Sequence, residues 1–148
     1  MYFYFGSKNA VLTALVERTA ASAVSQIELA EASAPTDPRQ ALRQALQHFA
    51  HLWHEHGAIM RMAVELSPTV TGIDRCWQSA ITAAAHATRQ TMIRAGIPDD
   101  DSPTGAAAIS RALVLMTERS FYGASKGEES LDVVAQTLTC VWLATLPD

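Results

Sequence analysis

No charged side chain occurs from Val133 to Pro147, and within that stretch Val134, Leu138, Val141, Trp142, Leu143 and Leu146 nearly surround a helix axis. A helix that is apolar all round must be enclosed by protein or by lipid. At about 1.5 Å of rise per residue, the stretch falls short of the roughly 20 residues that a bilayer demands. Burial by protein is therefore expected, with no membrane involved. The helix before it carries the same surplus. Opened by Ser102-Pro103 and running to about Tyr122, it places Ala106, Ile109, Leu113 and Met116 on one face, while Ala108, Ala112 and Leu115 fill much of another. A chain of 148 residues has trouble covering both helices by itself. A homodimer is expected, in which two helices from each subunit form a four-helix bundle around Leu115, Val134, Leu138 and Val141. A two-fold axis makes such a surface its own complement.

The rest of the chain follows the same helical period. From Ser7 to about Glu31, Val11, Leu12, Leu15, Val16, Ala23, Ile27 and Ala30 fall on one face, with Ser7 as N-cap after a turn at Gly6. Asp37-Pro38 opens a second helix, a capping residue followed by proline at the first helical position. Its inward line is Leu42, Ala45, Leu46, Phe49, Leu52 and Trp53, and it is expected to end near His56 at Gly57. A short helix over 59–66 stops before Ser67-Pro68, because the residue before proline is pushed out of the α region. A long helix over about 73–95 points Trp77, Ile81, Ala84, Thr88 and Met92 inward and is capped by Gly96. No lasting alternation and no Asn-Gly or Asp-Gly hairpin signal occurs. The expected fold is all-α, a bundle of about six helices.

Composition narrows the function. The net charge of −4 and the pI near 5.7 argue against a nucleic-acid-binding surface within this stretch. Cys76 and Cys140 lack any metal-ligand spacing and are expected to be reduced, buried thiols. Met1 is followed by aromatics, not by a basic segment and an apolar run, so a cytoplasmic location is expected. His48, His51 and Glu55 share a helical face as metal ligands would, but no Glu-x-x-His pairs occur on other helices to face them. They are expected to be a solvated polar edge. Asp99-Asp100-Asp101 lacks the EF-hand spacing and is expected to be a loop that favours the following helix N-terminus. No GxSxG, Walker A or GxGxxG motif is present, so neither catalysis nor a cofactor is expected. Trp53, Trp77 and Trp142, with Met60, Met62, Met92 and Met116, suit either an ordinary core or an adaptable apolar pocket.

Two stretches carry a family resemblance. Tyr2-Phe3-Tyr4-Phe5-Gly6-Ser7-Lys8, leading to Leu12, resembles the junction where TetR-type repressors leave their helix-turn-helix and enter the regulatory domain. Leu113-Val114-Leu115-Met116-Thr117-Glu118-Arg119-Ser120-Phe121, then Gly127-Glu128 and Val141-Trp142, resembles the EthR-like subgroup of those regulators. The resemblance implies a homodimer built by the last two helices and an operon repressed until a small apolar effector fills a pocket in each subunit. It implies that Leu42, Phe49, Trp53, Trp77, Ala84, Val114, Thr117, Phe121 and Trp142 line that pocket. Val114 and Thr117 stand where the subgroup has asparagines, and Leu42 and Ala84 where it has aromatics, so a more apolar, less hydrogen-bonded effector is expected.

The same resemblance makes residues 1–6 a remnant of the DNA recognition helix and residues 7–148 the effector-binding and dimerisation domain. It places Tyr2, Tyr4 and Lys8 where family members touch DNA phosphates, contacts that position a protein but read no bases. Operator recognition is expected only with the family's N-terminal helices restored. Two rivals stand beside this reading: a stand-alone helical dimer that binds a small apolar molecule without DNA function, and a small helical enzyme using the histidine cluster.

Overall fold

The computed structural model describes residues 2–148, and side chains from Lys8 onward. It contains five helices and, among the described residues, no strand: α1 Tyr2–Ala32, α2 Pro38–Leu66, α3 Thr71–Arg94, α4 Ala106–Ser125 and α5 Leu131–Ala144. The all-α expectation holds, with five helices in place of six. The two helices expected on either side of Gly57 are one element, α2, bent where His56 leaves helical geometry at φ −118°, ψ 21°. Gly57 lowers helix propensity by about 1 kcal/mol but does not by itself end a helix. The expected turn at Gly6 and N-cap at Ser7 are likewise absent, since α1 runs through both positions.

Where capping chemistry is complete, the helices end as expected. The Asp37 carboxylate accepts a hydrogen bond from the Arg39 backbone N–H at 3.1 Å, and Pro38 follows as the first helical residue. At the end of α3, Gly96 takes φ +100°. Its N–H reaches the Ile93 carbonyl at 3.0 Å, and the Ile97 N–H reaches the Met92 carbonyl at 3.1 Å, closing off the last turn. The three aspartates that follow form a loop. Asp99 pairs with Arg89, and the Asp100 carboxylate accepts from the Ser102 N–H at 3.0 Å. The next helix begins at Ala106, later than Pro103, because this loop occupies the intervening residues.

Helix α2 touches each of the other four helices. Its buried line, Leu42, Leu46, Leu52, Trp53, Met60 and Ala63, forms the middle of the core. Helix α1 lies mainly against α3 and presents Val16, Ala20, Ala23 and Ile27 inward. That stripe is narrower than expected, for Val11 and Leu15 face solvent. Helix α5 packs on α2 and α4 through Val134, Leu138 and Trp142. Cys76 is half-buried and Cys140 exposed, so the expected burial of both thiols is corrected for Cys140, which falls on the outer side of α5.

Gly96→Ala forces a side chain into the left-handed region and should lower stability by about 1–2 kcal/mol. Thermal denaturation should show this as a lower Tm with no loss of helical content.

Candidate functional site

Helices α1 to α4 line a small, partly open chamber of about 60 Å³ next to the centre of α2. Ala23 and Ile27 of α1 close one side. Phe49, Leu52, Trp53 and Met60 of α2, Trp77, Ala80, Ile81 and Ala84 of α3, and Val114, Thr117 and Glu118 of α4 complete the wall. Trp53 and Trp77 meet edge to face, with ring centroids 6.2 Å apart and planes at 86°, a geometry favoured by the ring quadrupoles. Phe121 backs the chamber from behind Trp53 at 6.4 Å.

The chamber's polar groups are few and unequal. Thr117 is buried, and its hydroxyl accepts a hydrogen bond from the Trp142 indole N–H at 3.0 Å. That bond satisfies Trp142, which is 0% exposed, and ties α5 to α4. Trp77 is only 7% exposed, and its indole nitrogen is buried with no hydrogen-bond partner. The Glu118 carboxylate lies on that donor's side, near enough to feel it but without a formed bond. Burial raises the Glu118 carboxyl above its ordinary value of 4.5, opposed more weakly by the Trp77 N–H and by Arg119.

A wider groove of about 380 Å³ runs between α1, α2 and α3 and shares Ile27 and Phe49 with the chamber. Leu42, His48, Thr88 and Thr91 line it. His48 was expected on a solvated edge, yet it is half-buried and its Nε2 is enclosed without a partner. Burial, and then the neighbouring His51, hold its imidazole below the ordinary 6.5. His51 and His56 instead flank Glu55 at 3.4 and 3.7 Å on the exposed side of α2.

Of the nine residues expected at an effector pocket, Phe49, Trp53, Trp77, Ala84, Val114 and Thr117 line the chamber. Leu42 lines the adjoining groove, while Phe121 and Trp142 sit fully buried in the surrounding core. Sequence reasoning missed Ile27, Leu52 and Glu118. Glu118 had a signal: Val114, Thr117, Glu118 and Phe121 follow the i, i+3, i+4, i+7 spacing of one helical face. Among the expected DNA-contacting residues, Lys8 is exposed, and the side chains of Tyr2 and Tyr4 lie outside the described ones. The four expected interface residues divide: Leu115 and Val141 are each 39% exposed, whereas Val134 and Leu138 pack inside their own subunit.

No family model matches the chain. It is 32% identical to the HTH-type transcriptional regulator EthR of Mycolicibacterium smegmatis, over 98% of this chain and 69% of that protein. The regulators of the same name from Mycobacterium tuberculosis (strain H37Rv) and Mycobacterium bovis are each 28% identical over the same shares. The chain belongs to the EthR-like TetR family of transcriptional regulators. Its relatives are named for transcriptional control, not for catalysis. This EthR-like chain has an aromatic chamber among its helices, with Glu118 as the chamber's charged residue.

The carboxyl of Glu118 holds its proton to higher pH when folded than when unfolded, so its contribution to stability falls as pH rises through that window. Glu118→Gln should therefore raise Tm at neutral pH and leave it nearly unchanged well below pH 4.5. Thermal melts of both proteins across that range provide the check.

Proposed function

We propose that this EthR-like regulator represses transcription until a small, largely apolar molecule enters the α1–α4 chamber, and that it acts as a homodimer in the cytoplasm. The observation that carries this reading is a partly open, aromatic-walled chamber among the helices of a chain of a regulator family. Phe49, Trp53, Trp77, Ala84, Val114 and Thr117 are the proposed contacts. Phe49 stands between chamber and groove, so a rotation of its ring would join the two and admit a longer molecule as far as Leu42. Residues 7–148 would form the effector-binding and dimerisation domain. The preceding residues would end the recognition helix, with Tyr2, Tyr4 and Lys8 placed for DNA phosphates. Residues 2–6 and the start of the second region lie on one α1, whose Ala23 and Ile27 form part of the chamber wall.

The proposed dimer surface is the uncharged outer side of α5 together with the small-residue side of α4. Val133 is 55% exposed and Val141 39%, and Thr137 lies between them one helical turn from each. On α4, Ala108, Ala112 and Leu115 are exposed in a similar row, with Arg111 exposed on the same helical face. Val134 and Leu138 contribute by seating α5 on its own subunit.

Ala84→Leu adds side-chain volume inside the chamber. It should weaken binding of an apolar probe such as octan-1-ol about tenfold or more while Tm changes little, since a filled void offsets crowding. Unchanged affinity by calorimetry would place the binding site elsewhere. Val141→Glu should leave a folded monomer in sedimentation, because its side chain is at the surface, whereas Leu138→Glu should unfold the subunit. A wild type that sediments as a monomer at micromolar concentration would reject the dimer.

A further inference from the structure

The chamber's chemistry is one-sided. Its wall is almost wholly apolar and aromatic, and Glu118 is the one charged residue that lines it. No lysine, arginine or histidine joins that lining. The nearest basic neighbour in sequence, Arg119, is exposed and turned onto the Tyr122 ring at 5.0 Å. The Trp77 indole N–H on the same wall is a donor without a partner, and it offers an ammonium nothing to bond, so the charge preference rests on Glu118 and the ring faces. A carboxylate lining the same chamber as Trp53, Trp77 and Phe49 combines a negative charge with the electron-rich faces of aromatic rings. Both features attract an organic cation and disfavour an anion.

We propose that the effector is an amphipathic amine, whose ammonium group sits against Glu118 among the Trp53 and Trp77 rings and whose apolar body passes Phe49 toward the groove. This rests on the reading of the chamber as the effector site and adds the chemical class of the effector. The ammonium returns to Glu118 the counter-charge that burial withholds from it. An alcohol of equal length fills the same apolar space without that pairing. A carboxylate of equal length brings like charges together.

Calorimetric titration with octylamine, octan-1-ol and octanoate at neutral pH, against wild type and Glu118→Gln, tests the proposal. Octylamine should bind wild type about tenfold tighter than octan-1-ol, and octanoate should bind most weakly. In Glu118→Gln the amine should fall to the affinity of the alcohol, with the alcohol unchanged. Equal binding of amine and alcohol by wild type overturns the amine preference and leaves the effector chamber standing. An amine preference that survives in Glu118→Gln also overturns it, since the charge then acts elsewhere, as the net charge of −4 would permit. If none of the three binds, the chamber is not an effector site and both readings fall. Equal binding by wild type decides against the proposal without the variant, and the isosteric glutamine keeps the side-chain volume so that the variant can be compared.

Discussion

Helix α2 must serve four neighbours with one face, and the rest of the structure is arranged around that demand. Leu42, Leu46, Phe49 and Trp53 recur at intervals of four and three, and Met60 and Ala63 continue the same phase beyond the bend. The helix therefore gains more by running on through Gly57 than by stopping there. A break would give up the contacts of Met60 and Ala63 with the core, burial worth about 25 cal/mol for each Å² of apolar surface. The bend at His56 lets one element follow a curved core. It also brings Met60 back to the chamber that Phe49 and Trp53 begin.

Periodicity made most of the fold legible, and glycine was the signal read too strongly. Gly96 ends α3 because a positive φ, two closing hydrogen bonds and Pro98 act together. Gly6 and Gly57 have no such company, and each stays within a helix. The last helix shows a different limit. A stretch with apolar residues on every side has no phase of its own, so sequence could not distinguish Val134 and Leu138, which face inward, from Val133 and Val141, which face out. Only the neighbours α2 and α4 decide that orientation.

The candidate site was readable where residues are aromatic and unreadable where they are charged. Family resemblance picked out Phe49, Trp53 and Trp77, and the structure brings them to one chamber. Glu118 shares the helical face of Val114, Thr117 and Phe121, yet a carboxylate is seldom placed inward by type alone. His48 escaped for the same reason, although its neighbour Phe49 belongs to the inward line.

The same α4 that walls the chamber with Val114, Thr117 and Glu118 carries Ala112 and Leu115 on its outer side. The Thr117 hydroxyl also holds the Trp142 indole, so α5 is fastened to the wall of the chamber by a buried hydrogen bond. Packed interiors deform little, so a molecule that fills more than the chamber's present space of about 60 Å³ would press on that wall. Movement of α4 would be carried to α5 through Thr117 and Trp142, and so to both helices of the proposed dimer surface. Movement of α1 at Ile27 would travel along the same unbroken helix toward Lys8. Between these two routes, α1 is the shorter mechanical path to the residues proposed to meet DNA. With Val11 and Leu15 facing outward, the segment from Lys8 to Leu15 buries no side chain fully, unlike the segment from Val16 to Ile27. A displacement at Ile27 would therefore pass from a well-buried segment into a less buried one, the direction that the proposed release requires.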